Sequence, residues 1–204
     1  MDWETDVLVV GAGAGGIGAA LAAAVHGARV ILLEQTEQVG GTTGPGGVCH
    51  WEAGIGGTGV PVDLYQRLRA MPPRGRCVGI YAMRRHCCAS DPALRELPGG
   101  ENRIAPERTY ADTLRRYGGA GGADYPYDFY REHCFGVCFT PEAYTQACVD
   151  LLNAAGVDLR TRTEGAAVDM ANGVVRGVRT SRGEWIRARC TIDATGTAAV
   201  ARGA

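Results

Sequence analysis

Three glycines and one glutamate carry the clearest chemistry in this sequence. Gly11, Gly13 and Gly16 form the pattern GxGxxG directly after the apolar run Val7 to Val10. In that setting Gly11 lets the chain turn tightly off a strand, Gly13 leaves no Cβ between backbone and a pyrophosphate, and Gly16 lets a helix pack closely on a sheet. The helix N-terminus adds free amides and roughly half a positive charge, so Ala12, Ala14 and Gly15 complete an anion-binding loop. Glu34 closes the next strand about 20 residues further on, where a carboxylate accepts hydrogen bonds from ribose hydroxyls. It also disfavours a 2′-phosphate, since like charges about 4 Å apart repel by about 4 kcal/mol at an effective dielectric of 20. Gln35 follows it. The ligand so defined is a dinucleotide with an unphosphorylated ribose. An Ala/Gly-rich core helix in an ordinary doubly wound domain would not explain the placing of Glu34.

Other residues have the chemistry to act on a substrate. Arg84, Arg85 and His86 place two cations beside an imidazole, a set that binds a carboxylate and protonates a carbanion; the competing reading is a solvated turn with a surface histidine. Cys134 and Cys138 have a spacing compatible with zinc, with His86, Cys87 and Cys88 to complete a site. No second well-spaced pair accompanies them, and cysteines commonly serve as small buried apolar residues, so no metal is expected. For His133, Tyr125, Tyr127 and Tyr130 ordinary loop packing is the preferred reading. All 21 basic residues are arginine, which excludes a lysine Schiff base and a Walker-type lysine.

Composition narrows the class. The 204 residues are 46% hydrophobic with a formal net charge of -1, which gives no basic face for nucleic acid and no polybasic membrane patch. The apolar stretch from 7 to 33 is interrupted by glycines, His26 and Arg29, so no span of about 20 apolar residues crosses a membrane. The N-terminus MDWETD has no basic n-region, so a cytoplasmic setting with the eight cysteines mostly as free thiols is expected.

The elements that must hold these residues follow from patterning. Val7 to Val10 predicts a strand, the Ala-rich segment a helix, and Arg29 to Leu33 a second strand; the glycine-rich VGGTTGPGGV is a loop. A helix is predicted over Val62 to Ala70, and residues 77–83 and 103–117 are expected to be ordered around a loop at 118–126. Thr140, Pro141 and Glu142 begin a helix that runs to about Ala155 and stops at Gly156. VDLRT predicts a strand, and AAVDM, Asn172-Gly173 and VVRGVRT predict a hairpin. After Gly183 one more short strand is expected, then ARCTIDATG. Residues 1–50 and 140–204 thus read as one discontinuous α/β, Rossmann-like domain, and 51–139 as an inserted cap or loop-rich region.

With these motifs the chain resembles the N-terminal, FAD-binding part of the FAD-dependent oxidoreductases of the glutathione-reductase superfamily, close to the fumarate-reductase-like relatives. The resemblance rests on GAGAGG with Glu34, on Gly40 to Thr43 (GGTT), on WEAGIGGTGVPVDLYQRL, on the element order after Thr140, and on IDATG at Ile192 to Gly196. It implies a GR2-type fold, a parallel sheet with a β-meander or hairpin, and FAD as the dinucleotide. Glu34 with Gln35 would hold the adenosine ribose and Gly11 to Gly16 the pyrophosphate. Gly40, Gly41, Thr42 and Thr43 would line the diphosphate and flavin side, and Gly165 or Ala166 would lie against adenine. Ala194, Thr195 and Gly196 would close over the cofactor. His50 would stand near the isoalloxazine.

The activity implied is hydride or electron transfer through FAD to or from a small organic substrate, with NADH or another redox protein as electron partner. Two departures qualify it. Thr43 and Val48 stand where disulfide reductases carry a CxxxxC pair, and Cys49 is alone, so a dithiol relay is not expected; Thr197 follows ATG where Asp is common, leaving that contact open. In the superfamily a substrate domain and a final FAD-contact segment follow ATG, whereas this sequence stops at Ala204. A fragment, a truncated frame or one piece of a split flavoprotein is therefore expected, and a catalytically silent dinucleotide-binding fragment is the alternative function.

Overall fold

The computed structural model describes residues 2–51, 60–85 and 135–204. Within them the chain divides into two compact units, one of residues 1–48 and 144–204, the other of residues 49–143.

The first unit is built on a six-stranded sheet. Its strands are β1 (Asp2–Val10), β2 (Val30–Leu33), β6 (Asp158–Arg160), β7 (Gly165–Ala171), β8 (Val174–Thr180) and β9 (Trp185–Asp193), in the order β6-β2-β1-β9-β8-β7. Strands β6, β2, β1 and β9 run parallel; β7 and β8 add an antiparallel hairpin on β9. The sheet is therefore mixed. All four residues of β2 are buried, as expected of a strand with parallel neighbours and both faces covered. The hairpin turns at Asn172 and Gly173 with φ 54 and 75, the two positive values that a tight turn compatible with strand twist requires.

Two strands are longer than patterning predicts. β1 begins at Asp2, because its polar first half pairs with β9, from Asp2↔Trp185 onward, while β2 meets only its apolar second half, Val7↔Val30 to Val10↔Leu33. β9 is likewise one nine-residue strand, where a short strand and a separate ARCTID segment were expected. In both cases a long neighbour satisfies backbone groups that the side-chain pattern leaves unmarked.

Helix α1 (Ala14–Val25) buries Gly16, Ile17, Ala20 and Leu21. The later helix, Pro141–Ala154, begins where Thr140 Oγ1 accepts the Ala143 amide at 3.3 Å and ends before Gly156, whose φ is 71. Leu8, Val10, Ile31, Leu33, Val178, Ile186 and Val200 form a core cluster, with Val168 and Ala188 packed on it; each such buried side chain contributes about 1.5–3 kcal/mol.

In the second unit β3 (His50–Trp51), β5 (Phe135–Cys138) and β4 (Ala82–Arg85) form an antiparallel sheet in that order. Helix α2 (Val60–Ala70) buries Leu64, Tyr65 and Leu68 on one face, starting two residues before the predicted boundary. Trp51 meets Phe139 edge to face at 5.4 Å. Residues 103–117 and the loop 118–126 lie outside the described residues. Among the described residues no helix is long and apolar enough to cross a membrane. The helix Pro141–Ala154 is called α3 and the terminal turn Ala199–Gly203 is called α4 below.

Candidate functional site

The carboxyl ends of β1, β2 and β9 open into a groove of about 530 Å³ in the first unit. Open α/β sheets bind ligands at this place, outside the strand ends. Its walls come from the glycine fingerprint, the segment after β2, the Gly40–Thr43 loop, the start of β7 and the turn after β9.

The fingerprint glycines separate by what each one faces. Gly11 has φ +100, and a Cβ on it would lie 2.7 Å from the Ala194 carbonyl oxygen; a Cβ on Gly16 would lie 1.8 Å from the Gly11 carbonyl oxygen. These two are therefore demanded by the fold, at the crossing of β1, α1 and β9. A Cβ on Gly13 or Gly15 would meet nothing within 4 Å. Gly13 caps α1 without a side-chain hydrogen bond, and the first turn carries no acidic residue, so the helix amides stay open for an anion. The second glycine loop docks onto this one: Gly40 N donates to Ala12 O at 2.8 Å, and a Cβ on Gly41 would come within 3.0 Å of Gly13 Cα. Thr145 of α3 holds the loop from beneath, its Oγ1 donating to Val39 O at 3.1 Å.

Glu34 is buried at 9% exposure and hydrogen-bonded by the chain itself. Ala12 N donates to its Oε2 at 2.9 Å, while Thr36 N and Thr36 Oγ1 each reach Oε1 at 2.9 Å. The carboxylate thus pins the fingerprint loop. A carboxylate has about four acceptor positions, so the chain fills three of them.

Asp193 is the functional neighbour that patterning alone passed over. Its Oδ1 accepts from Thr195 N at 2.9 Å and Thr195 Oγ1 at 2.6 Å, and its Oδ2 accepts from Ala201 N at 2.8 Å. Desolvation raises its pKa, but the hydrogen bonds from Thr195, Ala201 and Val200 together outweigh it and hold the carboxyl below its ordinary 3.8. One side chain therefore fixes both the ATG turn and α4. The available signal was an acid directly before ATG, a pattern that reads equally well as the polar end of a strand.

Of the residues expected to touch a dinucleotide, Gly11, Gly13, Ala14, Gly15, Glu34, Gln35, Gly40, Gly41, Thr42, Thr43, Gly165, Ala194, Thr195 and Gly196 line the groove. Ala12 and Gly16 are buried and do not line it. Ala166 is exposed and also off its wall, at a register irregularity between Gly165 and Ala167. Thr36, Gln38, Thr163, Glu164 and Thr197 line it without having been expected to.

The residues expected to act on substrate belong to the second unit. His50 is half-buried with Nδ1 3.2 Å from Cys138 Sγ. Arg84 and Arg85 lie on strand β4, opposite Gly136 and Phe135, and not in a turn. His86, Cys87, Cys88, His133, Cys134 and Tyr125, Tyr127 and Tyr130 lie outside the described residues. Among the described residues no three His, Cys, Asp or Glu side chains gather as for a metal. Cys49 is a half-buried free thiol.

Over residues 6–204 the chain matches the family described as FAD dependent oxidoreductase. The chain belongs to that family. It is 44% identical over 55 residues to the 3-oxosteroid 1-dehydrogenase of Rhodococcus opacus, covering 26% of this chain and 11% of that protein. It is 43% identical over 49 residues to the soluble pyridine nucleotide transhydrogenase of Klebsiella pneumoniae, covering 24% and 9%. Among solved structures, the geranylgeranyl bacteriochlorophyll reductase-like protein of Thermoplasma acidophilum aligns with TM-score 0.58 at 18% identity, over 100% of this chain and 42% of that one. The L-amino acid deaminase of Proteus myxofaciens aligns with TM-score 0.57 at 20% identity, over 96% and 46%. At these identities the structural likeness is one of fold. The chain spans about a tenth of the two curated relatives and less than half of the two solved chains.

The cofactor of the family is FAD, and the residues present fit it. The uncapped helix start, the open space before Gly13 and the buried carboxylate at the end of β2 supply an anion site and a ribose acceptor in one groove.

Proposed function

We propose that this chain is the FAD-holding portion of a flavin-dependent oxidoreductase acting on a small organic substrate. The observation that carries the reading is the division among the fingerprint glycines: packing accounts for Gly11 and Gly16, while the space before Gly13 is left to a ligand. In this reading the amides of Ala14, Gly15 and Gly16 hold the pyrophosphate and Glu34 with Gln35 holds the adenosine ribose. Gly40 to Thr43 follow the diphosphate toward the flavin, and Ala194 to Gly196 cover it. Gly165, at the start of β7, lines the groove and would lie against the adenine. FAD, when bound, supplies the hydride or electron transfer. The chain's own part is to orient the cofactor and exclude water around its diphosphate.

The candidates for action on substrate fall in the unit of residues 49–143. There Arg84 and Arg85 would bind an anionic substrate group, and His86 or His50 would supply or take a proton. The electron partner would be a nicotinamide nucleotide such as NADH, or a redox protein; the transhydrogenase similarity supports the first. A cytoplasmic setting goes with this reading, in which Cys49, Cys77, Cys148 and Cys190 are thiols.

The test is spectroscopic. The purified protein should carry, or take up from added FAD, the visible flavin absorbance, and that absorbance should bleach under a donor. Protein that gains no flavin absorbance and quenches no FAD fluorescence sinks the reading. The share of relatives covered favours a second reading, that this portion binds FAD without turning substrate over. Bound flavin that dithionite reduces but no nicotinamide or substrate donor does would select it.

A further inference from the structure

Glu34 confronts its ligand with a counting problem. The chain alone fills three of its roughly four acceptor positions through Ala12 N, Thr36 N and Thr36 Oγ1, and an adenosine ribose brings two hydroxyl donors. Thr36 resolves it. Its hydroxyl has one proton but two acceptors in reach, Glu34 Oε1 at 2.9 Å and the Gln38 carbonyl oxygen at 2.8 Å. Glu34, Thr36 and Gln38 all line the groove.

We propose that Thr36 is a specificity-determining residue at the adenosine end of the site, acting as a two-position hydroxyl switch. Before ribose enters, its proton lies on the carboxylate, the stronger acceptor. When ribose enters, the proton turns to Gln38 O, no donor is orphaned, and the released position on Oε1 takes the second ribose hydroxyl. Glu34 so serves two masters: it holds the fingerprint loop through Ala12 and still accepts both ribose hydroxyls. The turn exchanges a charge-assisted hydrogen bond for a neutral one, which discounts the second hydroxyl's contribution to binding. The inference rests on the FAD reading of this groove.

The experiment measures flavin fluorescence quenching with FAD and with its 2′-deoxyadenosine analogue, for wild type, Thr36→Val and Thr36→Ser. Valine removes the competing hydroxyl and retains the Thr36 amide bond to Glu34. The ratio of the two dissociation constants, deoxy over FAD, should then rise about fivefold in Thr36→Val, because the discount is gone, and return to the wild-type ratio in Thr36→Ser. A Thr36→Val ratio equal to or below wild type overturns the switch while leaving FAD binding standing. Wild-type protein that binds neither ligand overturns the FAD reading and the switch with it. If the hydroxyl only braced Glu34, its removal in Thr36→Val would lower affinity for both ligands and leave the ratio unmoved, which likewise overturns the switch.

Discussion

Gly13→Ala and Gly16→Ala make the same chemical change three residues apart and should fail in opposite ways. At Gly16 the added methyl would sit 1.8 Å from the Gly11 carbonyl oxygen, about 1.5 Å inside the ~3.3 Å at which carbon and carbonyl oxygen normally meet. The obstacle is backbone, so α1 must lift off β1; overpacking of this kind costs about 3 kcal/mol, against a helix-propensity gain of about 1 kcal/mol. A net loss of about 2 kcal/mol is a large share of a typical 5–15 kcal/mol stability. At Gly13 the methyl meets nothing within 4 Å, and φ -74 with ψ -176 suits alanine. The weaker N-cap and the reduced freedom of the unfolded chain nearly offset each other, leaving stability within about 0.5 kcal/mol of wild type. In the proposed placement of FAD, the methyl stands where the diphosphate would approach. Losing one charge-assisted hydrogen bond there costs about 1.5–3 kcal/mol, roughly a 10- to 100-fold weaker dissociation constant. Urea unfolding of the FAD-free variants and FAD fluorescence quenching separate the two effects. Gly13→Ala protein that binds FAD as wild type does would refute the ligand placement, and Gly16→Ala protein as stable as wild type would refute the packing account.

Three further expectations concern the frame of the groove. Asp193 has a pKa held below 3.8 in the folded state, so its ionised carboxylate stabilises the fold above that pH, and the contribution is lost as pH falls through the folded value; Asp193→Asn should cost about 1–2 kcal/mol at pH 7 and give a shallower loss of urea midpoint between about pH 5 and 3, whereas an unchanged acid limb would remove Asp193 from this role. Ala198 is held at φ 52, a left-handed conformation that costs a non-glycine residue about 1–2 kcal/mol; Ala198→Gly should raise stability by about 0.5 kcal/mol after the entropy that glycine adds to the unfolded chain, and a lower urea midpoint would contradict it. Burial pushes the Cys148 thiol up to about 12, so iodoacetamide at pH 8 followed by peptide mass mapping should leave Cys148 unmodified while the exposed Cys190 reacts; labelling of Cys148 in native protein would show that α3 opens.

Much of the architecture was readable because it rests on local rules. The α/β class, α1, the Asn172-Gly173 hairpin and the Thr140 helix start each follow from a period, a cap or a turn residue within a few positions. The element ends were less readable, and β1 shows why. Asp2, Trp3 and Glu4 look like a polar leader, yet they are strand because Trp185, Ile186 and Arg187 lie beside them, and sequence carries no mark of a partner so distant.

The sequence by itself determined that the chain has the parts of a dinucleotide site: a strand, three spaced glycines, a carboxylate and a late ATG, each a property of residue type and short-range spacing. The tertiary structure alone decided what those parts do to one another. It separated glycines needed by packing from glycines that face open space, turned Glu34 into the anchor of Ala12, and made Asp193 the clamp of the ATG turn. The reason is physical: hydrogen-bond partners and steric neighbours are set by atoms that the fold brings together from far along the chain, and at Glu34 the count of remaining acceptor positions exists only once that folding has filled the others.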